Sequence, residues 1–218
     1  MYYTGIGSRD IPAEVIRVME DAGYRLAKMG WILRSGKADG SDAAFQRGMQ
    51  KFVIESGVRD YKRYAEIYIP WNNFSGGQGL TDHWDIPLNQ IDLLFPEHVQ
   101  MRKEWMSEVH PAPERLSQGA EKLHLRNVHQ VFGPNLSDAF LNQSKFVLYY
   151  AKEDKKGNPK GGTATAVNLA KKTGIRVLNL LTQEGRDKLE SFLTQMEERR
   201  NESKSGSLRK VSHGVQDS

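Results

Sequence analysis

The sequence predicts an α/β protein with a Rossmann-like, doubly wound and mainly parallel sheet that carries an inserted lid segment. Short apolar strands alternate with amphipathic helices along most of the chain, a pattern typical of βαβ units. Three of the strand-to-helix loops are rich in Gly, Ser and Thr. The chain has 218 residues, of which 38% are hydrophobic, so one such domain could bury an ordinary core.

The first part of the chain contains three predicted strands and two helices. A strand over residues 1–6 leads into a helix that Pro12 opens and Gly30 ends, with apolar residues at spacings of three and four. A short buried strand over residues 31–33 precedes a second amphipathic helix. Residues 66–70 form the third strand.

Residues 71–113 interrupt this rhythm, since they contain Gly76-Gly77-Gln78-Gly79 and three of the four tryptophans. We interpret them as an insertion or lid with a helix near residues 98–109. The regular pattern then resumes with a helix over 114–132, a strand over 145–150, a Gly-rich turn at 157–162, a helix ending at 172 and a strand over 175–180. We therefore expect one nucleotide-binding domain over 1–184, a C-terminal helix over 185–200 and a disordered tail over 201–218.

Composition excludes several classes of protein. The chain has no cysteine, which rules out a disulfide framework, a thiolate zinc site and a cysteine nucleophile. We predict a cytoplasmic protein without membrane contact, because no signal-peptide pattern and no apolar run of about 18–20 residues occurs. The six histidines have no metal-ligand spacing, so we expect no metal and no cofactor. The net charge of +4 permits anionic ligands without identifying one.

The first glycine-rich loop, Gly5-Ile6-Gly7-Ser8-Arg9, joins a strand to a helix. Glycine allows a ligand to approach the main chain, and Arg9 could donate two hydrogen bonds to an anion. We therefore take Gly7, Ser8 and Arg9 as candidate ligand contacts. The alternative is an ordinary tight turn.

The second loop, residues 35–42, also follows a strand directly. Its candidate ligand residues are Ser35, Gly36, Asp39, Gly40 and Asp42. The two aspartates could accept hydrogen bonds from ribose hydroxyls, although Asp42 taken alone is better explained as an N-cap or first-turn acid of the next helix.

The third loop gives the strongest signal for phosphate. Its candidates, Gly161, Gly162, Thr163 and Thr165, would present backbone N–H and hydroxyl donors at a helix start. Arg126 and Asn127, in the preceding helix, complete the predicted site. The nearby His124 and His129 are interpreted as ordinary helix residues. Because crossovers between parallel strands are right-handed, we expect all three loops at one edge of the sheet.

In this order, the motifs resemble the DprA/LOG-like (SLOG) Rossmann superfamily, whose small members occur in bacteria and phages. The similar segments are Gly7-Ser8-Arg9, residues 35–42, Arg126-Asn127 and Gly161-Gly162-Thr163-Ala164-Thr165. The resemblance extends over residues 1–180 apart from the insertion. It implies a nucleotide or nucleotide-derived signalling ligand that the protein senses or sequesters, and it is compatible with a homo-oligomer.

Two alternative functions follow from the same resemblance. The first is a LOG-like phosphoribohydrolase that cleaves a nucleotide N-glycosidic bond, but the position of the family's catalytic glutamate is Asn168 here, which cannot act as a general acid or base. Arg102 loosely echoes a second catalytic motif of that family, and Glu66, Asp39, Asp42 or Asp85 would have to replace the glutamate. The second alternative is DprA-like binding of single-stranded DNA.

Overall fold

The computed structural model describes residues 1–74, 79–155 and 157–213, with side chains described through residue 202. The motif Gly76-Gly77-Gln78 therefore lies outside the described residues. The described part forms six strands and eight α-helices: β1 Tyr2–Gly7, α1 Ala13–Lys28, β2 Ile32–Ser35, α2 Ser41–Ser56, β3 Ala65–Ile69, β4 Asp85–Pro87, α3 Leu88–Leu94, α4 His98–Val109, α5 Gln118–Phe132, α6 Ala139–Asn142, β5 Phe146–Tyr150, α7 Thr163–Lys172, β6 Arg176–Asn179 and α8 Gln183–His213.

The six strands form one sheet in the order β4-β3-β2-β1-β5-β6, and every neighbouring pair is parallel. The chain builds β1 to β4 in one direction and then returns to place β5 on the other side of β1. This reversal is the topological switch point of a doubly wound sheet, so the predicted fold class is confirmed.

Helices cover both faces of the sheet because its strands are apolar on both sides. In β5, Phe146 and Leu148 point into one core with α1, α2 and α8, whereas Val147 and Tyr149 point into a second core with α3, α4, α5 and α7. The period of two along the strand thus divides its side chains between two helical layers.

The segment predicted as a lid extends the sheet and its helical layer. Its strand β4 pairs with β3, and Leu88, Ile91 and Met106 of α3 and α4 are buried in the second core. The predicted helix at His98–Val109 is present, whereas β4, α3 and α6 were too short for a periodic signal.

Helix α8 continues past residue 200, where the sequence predicted its end, to His213. No proline and only one glycine occur between residues 201 and 213, so the sequence contains no strong helix terminator there. The first half of the helix packs on the sheet through Leu189 and Leu193, and Arg25 of α1 forms ion pairs with Glu190 and Glu197. None of the helices in the described residues has the length and apolar character required to cross a bilayer.

Candidate functional site

A cleft of about 970 Å³ opens at the carboxyl edge of the sheet, where β1 and β5 end. The position is the switch point, at which open α/β sheets bind ligands. All three glycine-rich loops contribute to its lining, together with α5. The lining residues are Ile6, Gly7, Ser8, Arg9, Asp10, Ile11, Pro12, Ala38, Asp42, Ala120, Leu123, His124, Arg126, Asn127, Gln130, Tyr150, Lys152, Lys160, Gly161, Gly162 and Thr163.

The first and second loops pack directly against each other. Gly7 N donates to Asp42 Oδ1 at 3.2 Å, and the backbone N–H and hydroxyl of Ser41 both donate to Ser8 O. Gly40 has a φ of +76°, and a Cβ there would lie 2.2 Å from the carbonyl oxygen of Arg9. The second loop therefore requires glycine at this position so that it can support the first loop.

Arg126 is a buried cation in the wall of the cleft. Its side chain is 7% exposed, its Nη1 lies 3.4 Å from Asp42 Oδ2, and its Nε has no hydrogen-bond partner among the described residues. Burial lowers the pKa of Arg126, and the charge of Asp42 opposes that shift. Burial likewise raises the pKa of Asp42, against the opposing effect of Arg126. The pair is thus a long, incompletely satisfied contact, compared with about 2.7–2.9 Å for a good charge-assisted hydrogen bond.

Helix α5 also supports the third loop. Asn127 Nδ2 donates to Gly162 O at 2.7 Å, and His124 Nδ1 lies 2.6 Å from Thr165 Oγ1. Burial, with smaller contributions from the charges of His110 and Arg126, lowers the pKa of His124 to about 4. His124 is therefore a neutral imidazole in the cleft wall at neutral pH.

Nine of the fourteen predicted ligand residues line the cleft: Gly7, Ser8, Arg9, Asp42, Arg126, Asn127, Gly161, Gly162 and Thr163. The other five, Ser35, Gly36, Asp39, Gly40 and Thr165, lie outside the lining. Ser35 donates to Gly5 O at 2.6 Å, and Asp39 is exposed at the loop surface. A Cβ on Gly36 would lie 0.9 Å from Arg126 Nη1, so Gly36 provides the space that this guanidinium occupies.

The two catalytic candidates lie away from the cleft. Arg102 is buried between Asp92, at 2.7 Å, and His129. Glu66 binds Arg34 and accepts a hydrogen bond from Tyr68. These partners explain Arg102 as part of the packed interior and Glu66 as the partly buried partner of Arg34, in contrast to the expectation that they could act in the site.

The carboxylates proposed to replace the missing glutamate are also mostly remote. Asp85, the first residue of β4, binds Lys37, and neither Asp85 nor Asn168 lines the cleft. Among the described lining residues, the only carboxylates are Asp10 and Asp42, and Asp42 is already engaged with Gly7 and Arg126.

The sequence missed twelve lining residues: Ile6, Asp10, Ile11, Pro12, Ala38, Ala120, Leu123, His124, Gln130, Tyr150, Lys152 and Lys160. Lys160 stands directly before Gly161, so a basic residue flanking a phosphate turn could have been recognised. Gln130 lies one helical turn after Arg126, on the same helix face, and this spacing could have indicated it. In the described residues, no group of three or more His, Asp or Glu side chains could hold a metal ion.

The fold and the cleft define an α/β protein with a ligand-sized site at its switch point. No family profile matches the sequence, and no curated protein matches it. The fold is similar to that of DNA processing protein A from Helicobacter pylori, with 13% identity, a TM-score of 0.50, and coverage of 91% of this chain and 81% of that chain. This likeness confirms, at the level of the fold, the resemblance seen in the sequence motifs.

Two structures of the molybdenum cofactor carrier protein from Chlamydomonas reinhardtii are also similar. Their identities to this chain are 18% and 17%, each with a TM-score of 0.42. Each alignment covers 88% of this chain, and 82% and 85% of the respective carrier chains.

Proposed function

We propose that this protein binds a nucleotide or nucleotide-derived ligand in the cleft, with the ligand's phosphate groups held by the first and third loops. The observation that carries this proposal is that the buried Arg126 lines the cleft, while its Nε has no partner among the described residues and its ion pair with Asp42 is long. An anion in the cleft would give this guanidinium a further charged acceptor besides Asp42.

The surroundings of Arg126 also favour an anion. Arg9, Lys152 and Lys160 line the cleft at its exposed rim, against the single exposed carboxylate of Asp10. Helix α7 begins at Thr163, so the positive end of its dipole faces the same space. The apolar part of the lining, which includes Leu123 and Tyr150, could contact a base.

The test is a thermal-shift and calorimetric panel of mononucleotides, cyclic nucleotides and ADP-ribose. We expect stabilisation by at least one compound, with binding weakened at least about fivefold in Gly162→Asp, because a carboxylate would repel a phosphate at this turn. No described atom lies within 4 Å of the position that a Cβ on Gly162 would occupy. The fold should therefore tolerate the substitution.

Gly119→Asp is the matched control. Gly119 also lies at a helix start with open space around it, but it does not line the cleft. We expect this variant to bind as the wild type does. The proposal fails if the folded wild type binds no compound of the panel, or if both variants bind as it does.

A second candidate function is binding of single-stranded DNA. The structure of DNA processing protein A, which has a similar fold, concerns its single-stranded DNA binding mode. In this chain, Lys152 and Lys160 are exposed in the lining of the cleft and could contact a phosphate backbone. This candidate predicts oligonucleotide affinity that falls steeply with salt. Tight mononucleotide binding with no oligonucleotide binding at low salt would exclude it.

A further inference from the structure

A line of hydrogen bonds crosses the floor of the cleft and joins two of its loops. The side-chain amide of Gln130 has one orientation in which both polar atoms are satisfied. Its oxygen then accepts from Gly36 N at 3.0 Å and from Arg126 Nη1. Its nitrogen donates to Asn127 Oδ1 at 3.0 Å, and Asn127 Nδ2 donates onward to Gly162 O at 2.7 Å. The second loop is thus connected through α5 to the third.

Arg126 extends this line to the first loop. Its Nη1 contacts Asp42, and Asp42 accepts a hydrogen bond from Gly7 N. The side-chain residues of the network are all buried, with Gln130 only 1% exposed. Hydrogen bonds in such an environment are stronger than in water, so the network can fix the relative positions of the three loops.

We propose that Gln130 is a positioning residue of the cleft that couples Arg126 and the second loop to the phosphate turn at Gly162. Its role requires an acceptor and a donor on the same group. Glutamate would retain the acceptor, and methionine, which has a similar shape, would retain neither. The effect on ligand affinity rests on the proposed function, but the coupling itself exists without ligand.

Hydrogen exchange of the ligand-free protein tests the coupling. We expect Gln130→Glu to keep exchange at the Gly36 amide slow. Exchange within residues 161–164 should accelerate at the Ala164 amide, which donates to Gly161 O at 3.1 Å, because Asn127 loses its orienting donor. Gln130→Met should accelerate exchange at both places. Gln118→Glu, at an exposed position at the start of the same helix, should change neither. Unchanged exchange over residues 161–164 in Gln130→Glu and Gln130→Met would overturn the inference.

Affinity for inorganic pyrophosphate, measured by calorimetry, tests the consequence for binding. We expect Gln130→Met and Asn127→Leu each to weaken binding about fivefold, the order expected for one lost buried hydrogen bond. Because both substitutions interrupt the same chain of hydrogen bonds, the loss of affinity in the double variant should be smaller than the product of the two single losses. A full multiplicative loss would contradict the coupling.

The two proposals fail in different ways. If the wild type binds no pyrophosphate while exchange over 161–164 responds to Gln130→Glu, the anion site is refuted and the coupling stands. If pyrophosphate binds but neither exchange nor affinity responds at Gln130, the coupling is refuted and the anion site stands.

Discussion

Two buried arginines occupy the same domain and have very different surroundings. Arg34, on β2, is 1% exposed, and its Nε donates to Glu66 at 2.7 Å. Its Nη1 donates to the carbonyl of Asn142 at 2.5 Å, and its guanidinium lies 3.7 Å from the centre of the Tyr2 ring. Protein groups therefore surround the charge on all sides.

Arg126, on α5, is nearly as buried, but it faces the cleft. Its contact with Asp42 is 3.4 Å long, and its Nε has no partner in the described part of the chain. Since an unsatisfied buried charge costs free energy, such an arrangement persists where another group completes it. The comparison indicates that Arg34 stabilises the fold, and it supports the proposal that Arg126 binds an external anion.

The largest expected effect is the loss of folding stability when Arg34 is replaced. Arg34→Met leaves the partly buried Glu66 without its cation, so we expect the free energy of unfolding to fall by about 3 kcal/mol, the lower end for a buried pair. Chemical denaturation would measure it. Arg47→Met is the control, because it removes a half-exposed pair with Glu20 that should contribute less than about 1 kcal/mol. Equal losses in the two variants would contradict the structural role of Arg34.

A substitution at Gly36 tests the role proposed for Arg126. The added Cβ of Gly36→Ala overlaps the Arg126 guanidinium and should displace it, at a cost of about 1–3 kcal/mol in stability. Binding of pyrophosphate should weaken as well. In contrast, Gly119→Ala, in open space on a helix, should raise stability by about 0.5–1 kcal/mol and leave binding unchanged. Unaltered pyrophosphate affinity in Gly36→Ala would show that Arg126 does not contribute to anion binding.

A histidine with a lowered pKa lies near each of the two arginines, His129 near Arg34 and His124 near Arg126. Burial lowers the pKa of His129 to about 3 and that of His124 to about 4, from 6.5. Below pH 6.5 the unfolded chain therefore takes up protons that the folded protein does not, and stability falls with decreasing pH. We expect a loss of about 1 kcal/mol or more between about pH 6 and pH 5 in urea unfolding. Stability that rises over this interval would contradict the environments described for the two imidazoles.

The smallest expected effect concerns the rim of the cleft. Lys152→Gln and Lys160→Gln should each weaken pyrophosphate binding about two- to fivefold at low salt and change stability by less than about 0.5 kcal/mol. The difference from the wild type should shrink as salt is added. Lys62→Gln is the control, since Lys62 precedes β3 at the opposite edge of the sheet. Equal weakening by the control would indicate a general charge effect without a site.

The sequence alone determined the doubly wound sheet and the chemistry of its loops. Alternating strand and helix periods specify parallel βαβ units, and these units direct every strand-to-helix loop to one edge. Gly7, Gly162 and Arg126 could therefore be predicted as parts of one site before any contact between them was known.

Only the tertiary structure decided which polar residues face the ligand space and which face the protein. Gly36 and Arg102 carry the same local signals as true lining residues, but Gly36 makes room for a guanidinium and Arg102 is paired inside the fold. The segment over residues 71–113 could be recognised as irregular, yet the place of its β4, α3 and α4 in the sheet and second core depended on long-range packing. The physical reason is that sequence periodicity fixes the direction of a side chain relative to its own element, whereas the group it meets belongs to a distant part of the chain.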